Sequence, residues 1–153
     1  MPEIKQIETS LEELMPLMKE CLSAGKSFRF SPRGISMLPM LRQGKDSVLL
    51  SPLPEKLRKY DIPLYRRDNG KYVLHRISET GETFTCIGDN QFVYEKGIRR
   101  EQMIAVVTEF YRGKKRHSIN EPAYKIYCLL WNFSRPLRHF AWRGINFLRR
   151  RLK

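Results

Sequence analysis

From Pro122 to its last residue, Lys153, the chain contains no aspartate and no glutamate. The same stretch carries Lys125, Arg135, Arg138, Arg143, Arg149, Arg150, Arg151 and Lys153, and so supplies most of the formal net charge of +13. The body before it is only mildly basic, so affinity for anions is expected from the C-terminal part alone. Cysteine is also scarce. Cys21, Cys86 and Cys128 are odd in number, widely spaced and never arranged as CxxC. This speaks against a disulfide framework or a thiolate metal site and points to a reducing compartment. No cofactor is expected. No window approaches the roughly 18–20 apolar residues that span a bilayer. The opening MPEIKQIETSLEELMPLMKE places acids where a signal peptide would have its apolar core. The expectation is a cytoplasmic chain, at most peripheral at the inner face of the membrane. Internal repeats and low-complexity segments are lacking too.

What is present suits one domain. A chain of 153 residues with a hydrophobic share of 41% can bury a core without disulfides or metals. Residues 10–24 have the signature of a helix: Ser10 and Glu13 fit a capping box, and Leu11, Leu14, Met15, Met18 and Leu22 form one apolar stripe before Gly25. From Ser27 to about Thr108 the period shortens to that of strands. SFRFSP alternates, DSVLLSPL is a short buried run, and DIPLYRR and KYVLHRI flank the turn signal DNG. ETFTCIG follows a second turn at ETGE, and QMIAVVTEFYRG is a further apolar run. Beyond Asn120 and Pro122 the period is helical again, with a restart at Ser134 and Pro136. The expected architecture is mainly β, of coiled antiparallel sheets, in three parts. These are an N-terminal helix (1–26), a β-domain (27–116) and a basic, aromatic-rich helical tail (117–153).

RGISMLPML, around Ser36, raises a chemical question. Glycine, serine and proline suit a simple turn, but a serine can also be a nucleophile if a base lies beside it. Of His75, His117 and His139, only His75 falls within the expected sheet, in YVLHRI. Its ordinary pKa, about 6.5, suits a general base near neutral pH. A histidine base needs a carboxylate to fix its tautomer, and IGDNQFVYE offers Asp89 and Glu95.

The blocks GISMLPML, DIPLYRR, YVLHRI and CIGDNQFVYE, in this order over roughly residues 28–113, resemble the superfamily of signal peptidase I and the LexA-like serine peptidases. With histidine rather than lysine at the base position, the chain is similar to the endoplasmic-reticulum and archaeal branch, as a member without a transmembrane anchor. The resemblance implies that fold, with Ser36 as nucleophile, His75 as base, and Asp89 or Glu95 as the orienting acid. Asp89 is favoured because the GDN block is intact. Arg76, beside His75, is expected on the opposite face as a structural residue. The chain departs from the family pattern at GKDSV, where Lys45 is inserted, at Tyr60, where glycine often precedes D-I, and at Gly34, which brings no side-chain hydroxyl to an oxyanion hole. The implied activity is that of a serine endopeptidase on a peptide, leader or signal-type sequence held extended beside the strands. A peptide-binding module of the same fold without catalysis is the alternative. An anionic membrane surface, met through residues 122–153, is a second candidate partner. Its alternative is a helix pair that packs its apolar stripes on the β-domain. Nucleic acid ranks last, since the tail carries no reader motif.

Overall fold

The computed structural model describes residues 10–152. The first nine residues of the expected N-terminal part, and Lys153 of the tail, lie outside them. The capping box forms as expected: the Glu13 N–H donates to Ser10 Oγ and the Ser10 N–H to Glu13 Oε2, both at 3.2 Å. Helix α1 (Leu11–Ser23) follows, burying Met15 and Met18, and Gly25 leaves it with φ of 72°. Pro16 lies inside this helix, where it removes one backbone donor. The burial of Met15 and Met18 on either side holds the helix together across that gap.

Among the described residues, nine strands form two antiparallel sheets. The larger has the order β1 (Phe28–Phe30), β2 (Asp46–Ser51), β8 (Met103–Arg112), β3 (Pro63–Arg66), β4 (Tyr72–Leu74), with β9 (Lys115–Ser118) also on β8. The smaller has the order β5 (Arg76–Glu79), β6 (Phe84–Ile87), β7 (Glu95–Ile98). The long β8 organises the first sheet. It pairs with β2 along Val106–Arg112, while its other edge takes β3 near Met103–Val106 and β9 near Glu109–Arg112. The DNG signal forms the β3–β4 hairpin, with Gly70 at φ of 85°. The ETGE signal lies between β5 and β6.

Two apolar clusters hold these layers. One joins α1 and the larger sheet to Tyr124 and Cys128 of α2 (Pro122–Phe133). The other, with Tyr65, Ile77, Cys86 and Met103, lies between the sheets. Each fully buried Leu or Met, such as Leu50, Leu64 or Met18, contributes about 1.5–3 kcal/mol. About 31% of the described residues are helical and 29% are in strands, so the chain is mixed rather than mainly β. The difference comes from the C-terminal part, where α2 enters the main core and α3 (Arg135–Arg151) continues it. None of the described helices is long and apolar enough to cross a membrane.

Candidate functional site

Ser36 sits in an irregular run of bends and turns, not on a strand. The GDN block builds this turn. The backbone N–H of Asn90 donates to the Ser36 carbonyl at 2.8 Å, and Asn90 Nδ2 donates to the Ile35 carbonyl at 3.2 Å. Gly88 is needed for space: a Cβ there would lie 2.5 Å from the Ser36 carbonyl oxygen. Gly34 is needed for conformation, with φ of 90° and its N–H held by Gln43 Oε1 at 2.8 Å.

His75 likewise lies between strands, in the step from β4 of the larger sheet to β5 of the smaller one. Successive side chains then diverge, as expected for extended backbone. The imidazole of His75 reaches the cavity that Ser36 also lines, while Arg76 turns into the core. This cavity, of about 250 Å³, is further lined by Gly34, Met37, Arg67 and Gln91, and by Tyr72–Leu74 of β4. A second cavity of about 270 Å³ shares Pro32, Arg33, Tyr72 and Leu74 with it. Together they make a groove between the segment 30–34 and β4. That strand pairs with β3 on one side and forms an edge of its sheet.

The two candidate carboxylates have separate partners. Glu95, at the start of β7, places Oε1 3.0 Å from His75 Nδ1. Asp89, favoured from the sequence, instead takes Arg76: its two oxygens accept from Arg76 Nε and Nη2, both at 2.7 Å. The physical reason is burial. Arg76 and Asp89 are each 0% exposed, and a guanidinium there requires a carboxylate counter-charge. Arg76 also donates to the Tyr60 carbonyl, Tyr124 Oη and Cys128 Sγ, while Tyr127 donates to Asp89 Oδ2 at 2.8 Å. Arg76 is thus structural, as expected. Tyr60 stands at φ of 76°, a conformation that favours glycine.

Two residues missed by the sequence reading complete the cluster around His75. Arg67 clamps Glu95 with Nε at 2.8 Å from Oε2 and with Nη2 on Oε1. Tyr65 Oη lies 3.4 Å from His75 Nδ1. As one of an adjacent arginine pair at a hairpin, Arg67 carries no sequence signal that separates it from a solvated cation. Burial raises the Glu95 carboxyl, but the Arg67 hydrogen bonds, the imidazole and Tyr65 outweigh it and leave the carboxyl below its ordinary range. Burial likewise pushes His75 down; Glu95 partly offsets this, and Arg67 adds to the lowering. The imidazole is therefore neutral near neutral pH, with Nδ1 engaged by Glu95 and Nε2 left to take a proton.

No protein-family model, no curated protein and no solved structure matches this chain.

The geometry alone therefore defines the site's chemical capacity. It brings together a half-buried serine, a neutral histidine whose tautomer is set by a carboxylate, and an edge strand, all on one groove. The Ser36 hydroxyl is not hydrogen-bonded to the imidazole; in free enzymes such contacts are often long and tighten only with substrate. Of the other histidines, His117 stacks on Phe110 and His139 on Phe92, and neither lines the groove.

Proposed function

We propose that this chain is a serine endopeptidase that cleaves an extended peptide, with the fold and histidine-base chemistry of the signal peptidase and LexA-like superfamily that its motifs resemble. The observation that carries this reading is the convergence of Ser36 and His75 on one cavity, with Glu95 on His75 Nδ1. Ser36 Oγ attacks the scissile carbonyl carbon as His75 Nε2 takes the hydroxyl proton. The carbon–nitrogen bond then breaks, the imidazolium returns that proton to the leaving amine, and an ester on Ser36 remains. Water, deprotonated by the same imidazole, hydrolyses the ester and frees the acid. Glu95 holds the imidazole in its working tautomer and stabilises its charged form; Arg67 holds Glu95. The Ser36 backbone N–H, which has no protein acceptor among the described residues, is available to the oxyanion. The free edge of β4 supplies backbone groups to pair with the substrate.

A peptide-library digestion read by mass spectrometry tests this, with wild type, Ser36→Ala and His75→Ala compared. Cleavage by wild type alone, with Ser36→Ala melting as wild type does, is expected. Cleavage that persists in Ser36→Ala rejects the assignment. A second reading, a peptide-binding module without chemistry, is favoured by the missing hydrogen bond between Ser36 and His75. It gains if peptides are retained on the groove of both wild type and Ser36→Ala without being cut.

A further inference from the structure

We propose that the α2–α3 arm docks in the plane of an anionic lipid bilayer, apolar stripe inward, and that this is independent of whether the groove performs catalysis. The arm is amphipathic in the reverse of the usual sense for a packed helix. The side of α3 that meets the body is polar or aromatic: Arg135 is buried, Arg138, His139 and Asn146 are half-buried, and Phe92 packs against His139 and Trp142 at ring separations of 4.7 and 5.6 Å. The apolar stripe faces solvent. On α2 it consists of Ile126, Leu129, Leu130 and Phe133, and on α3 of Leu137, Phe140, Ile145 and Leu148, with Leu152 just past its end; all are exposed, Phe133 at 88% and Phe140 at 78%.

These residues follow helical spacing through the junction. Ser134 itself has right-handed helical dihedrals, and helical hydrogen bonds run from its N–H to the Leu130 carbonyl and from the Arg138 N–H to its own carbonyl, both at 3.0 Å. One stripe therefore crosses both helices. The alternative, that the tail packs its apolar stripes on the β-domain, does not hold for these exposed residues. Tyr124 and Cys128 pack on the main core, but the stripe does not.

Charge selects the occupant. At about 100° per residue, Arg138 and Arg149 flank the α3 stripe on one side and Arg143 and Arg150 on the other, while Arg151 falls within its last turn, over the Phe147 ring. No acidic residue occurs anywhere from Pro122 onward. Pairing with a second copy would bring arginine against arginine with no carboxylate between, whereas anionic headgroups neutralise every one of them. An apolar, aromatic face bordered by cations matches the boundary between acyl chains and anionic headgroups. Trp142, half exposed where α3 packs on Phe92, lies just beyond the flanking arginines and reports on that boundary.

The test uses the full chain with sedimented vesicles, of phosphatidylglycerol mixed with phosphatidylcholine and of phosphatidylcholine alone, and follows Trp fluorescence. Wild type is expected to bind the anionic vesicles with a blue shift, to lose binding as salt is raised, and to bind the neutral ones at least about tenfold more weakly. The double variant Leu137→Asp/Phe140→Asp changes only exposed side chains; it should melt as wild type does and lose the binding. Absence of binding to anionic vesicles at low salt overturns the proposal. So does full binding by the double variant, since charge alone would then suffice. A lipid-independent dimer that Leu137→Asp/Phe140→Asp dissociates, with no vesicle binding by wild type, assigns the stripe to a second copy instead.

Discussion

Asp89 and Glu95 lie six positions apart in one short block, yet the structure gives them opposite roles, and neutralising each in turn separates these roles. Asp89→Asn leaves the Arg76 guanidinium, 0% exposed, facing an amide in place of a carboxylate. Breaking a buried ion pair from one side costs about 3–5 kcal/mol. Arg76 retains the Tyr60 carbonyl and Tyr124 Oη, which places the loss toward the lower end. For a chain of this length that corresponds to a fall in Tm of roughly 6–20 °C. Glu95→Gln acts on a carboxylate that is 21% exposed, whose partner Arg67 is 34% exposed. Such a partly solvated pair contributes about 1 kcal/mol or less, so its melting curve should stay near that of wild type. On the proposed mechanism, peptide cleavage should instead fall by about 10²–10⁴-fold, because the imidazole loses both its tautomer lock and its counter-charge. Thermal unfolding followed by circular dichroism, alongside kcat/KM on a cleaved peptide, reads both effects. The reasoning is refuted if Asp89→Asn melts with wild type while losing activity and Glu95→Gln stays active: the orienting acid would then be Asp89.

The proposed mechanism requires neutral His75, whose pKa burial holds below its ordinary value. The rate should therefore fall as pH drops through a value below about 6.5; Glu95→Gln, which removes the main raising influence, should move that limb to still lower pH, and an upward move would refute the pairing. The same depression makes the neutral imidazole the form the fold prefers, so this contribution to stability is present above about pH 6.5 and is lost as pH falls through the lower folded pKa, measurable by denaturant titration across that range. Gly88→Ala has no room for its Cβ against the Ser36 carbonyl; the turn must shift, with a loss of about 1–3 kcal/mol in stability and a fall in kcat, and retention of full kcat would show that the turn tolerates displacement. Burial raises the Cys86 thiol to about 12, and Cys128 is also buried. A maleimide should therefore label Cys21 in the native protein and the other two only on unfolding, as peptide mapping would show.

The elements legible from sequence were those with local causes. The capping box, the DNG hairpin, the run that becomes β8 and the proline start of α2 each depend on neighbours within a few positions. Strands β7 and β9 were not legible. EKGI and KRHS carry little apolar alternation, and they are strands because β6 and β8 offer them open edges. Ser36 and His75 could be singled out, since motif and chemistry coincide there. Pairing the carboxylates could not be done from spacing. It depends on Arg76 being buried, which forces Asp89 to remain with it, and burial is set by the helix α2 that arrives 46 positions later in the chain, at Pro122. The outward stripe of the arm was hidden for a similar reason. Helical periodicity identifies an apolar face but not which way the helix is turned on the body.

That turn is set by Arg135, and through it the arm and the groove become mechanically one unit. Arg135 is buried yet forms no salt bridge with a carboxylate among the described residues; it donates from Nη1 to the carbonyls of Gly88 and Gln91, and from Nη2 to Asn132 Oδ1 at 2.9 Å. Trp131 Nε1 donates to the Asp89 carbonyl at 2.9 Å. The start of α3 thus holds the two ends of the turn that contains Asp89 and Asn90, and Asn90 in turn holds the Ser36 carbonyl. Backbone carbonyls can satisfy a guanidinium without fixing its charge to one site, and burial accordingly pulls the Arg135 pKa down. A carboxylate at that place would compete for Arg76 or for Asn90. The physical consequence is directional: whatever seats the outward face of α3 acts on a helix whose inward face grips the turn behind the candidate nucleophile. The exposed stripe can therefore be altered without touching the groove, but Arg135 cannot be altered without touching both.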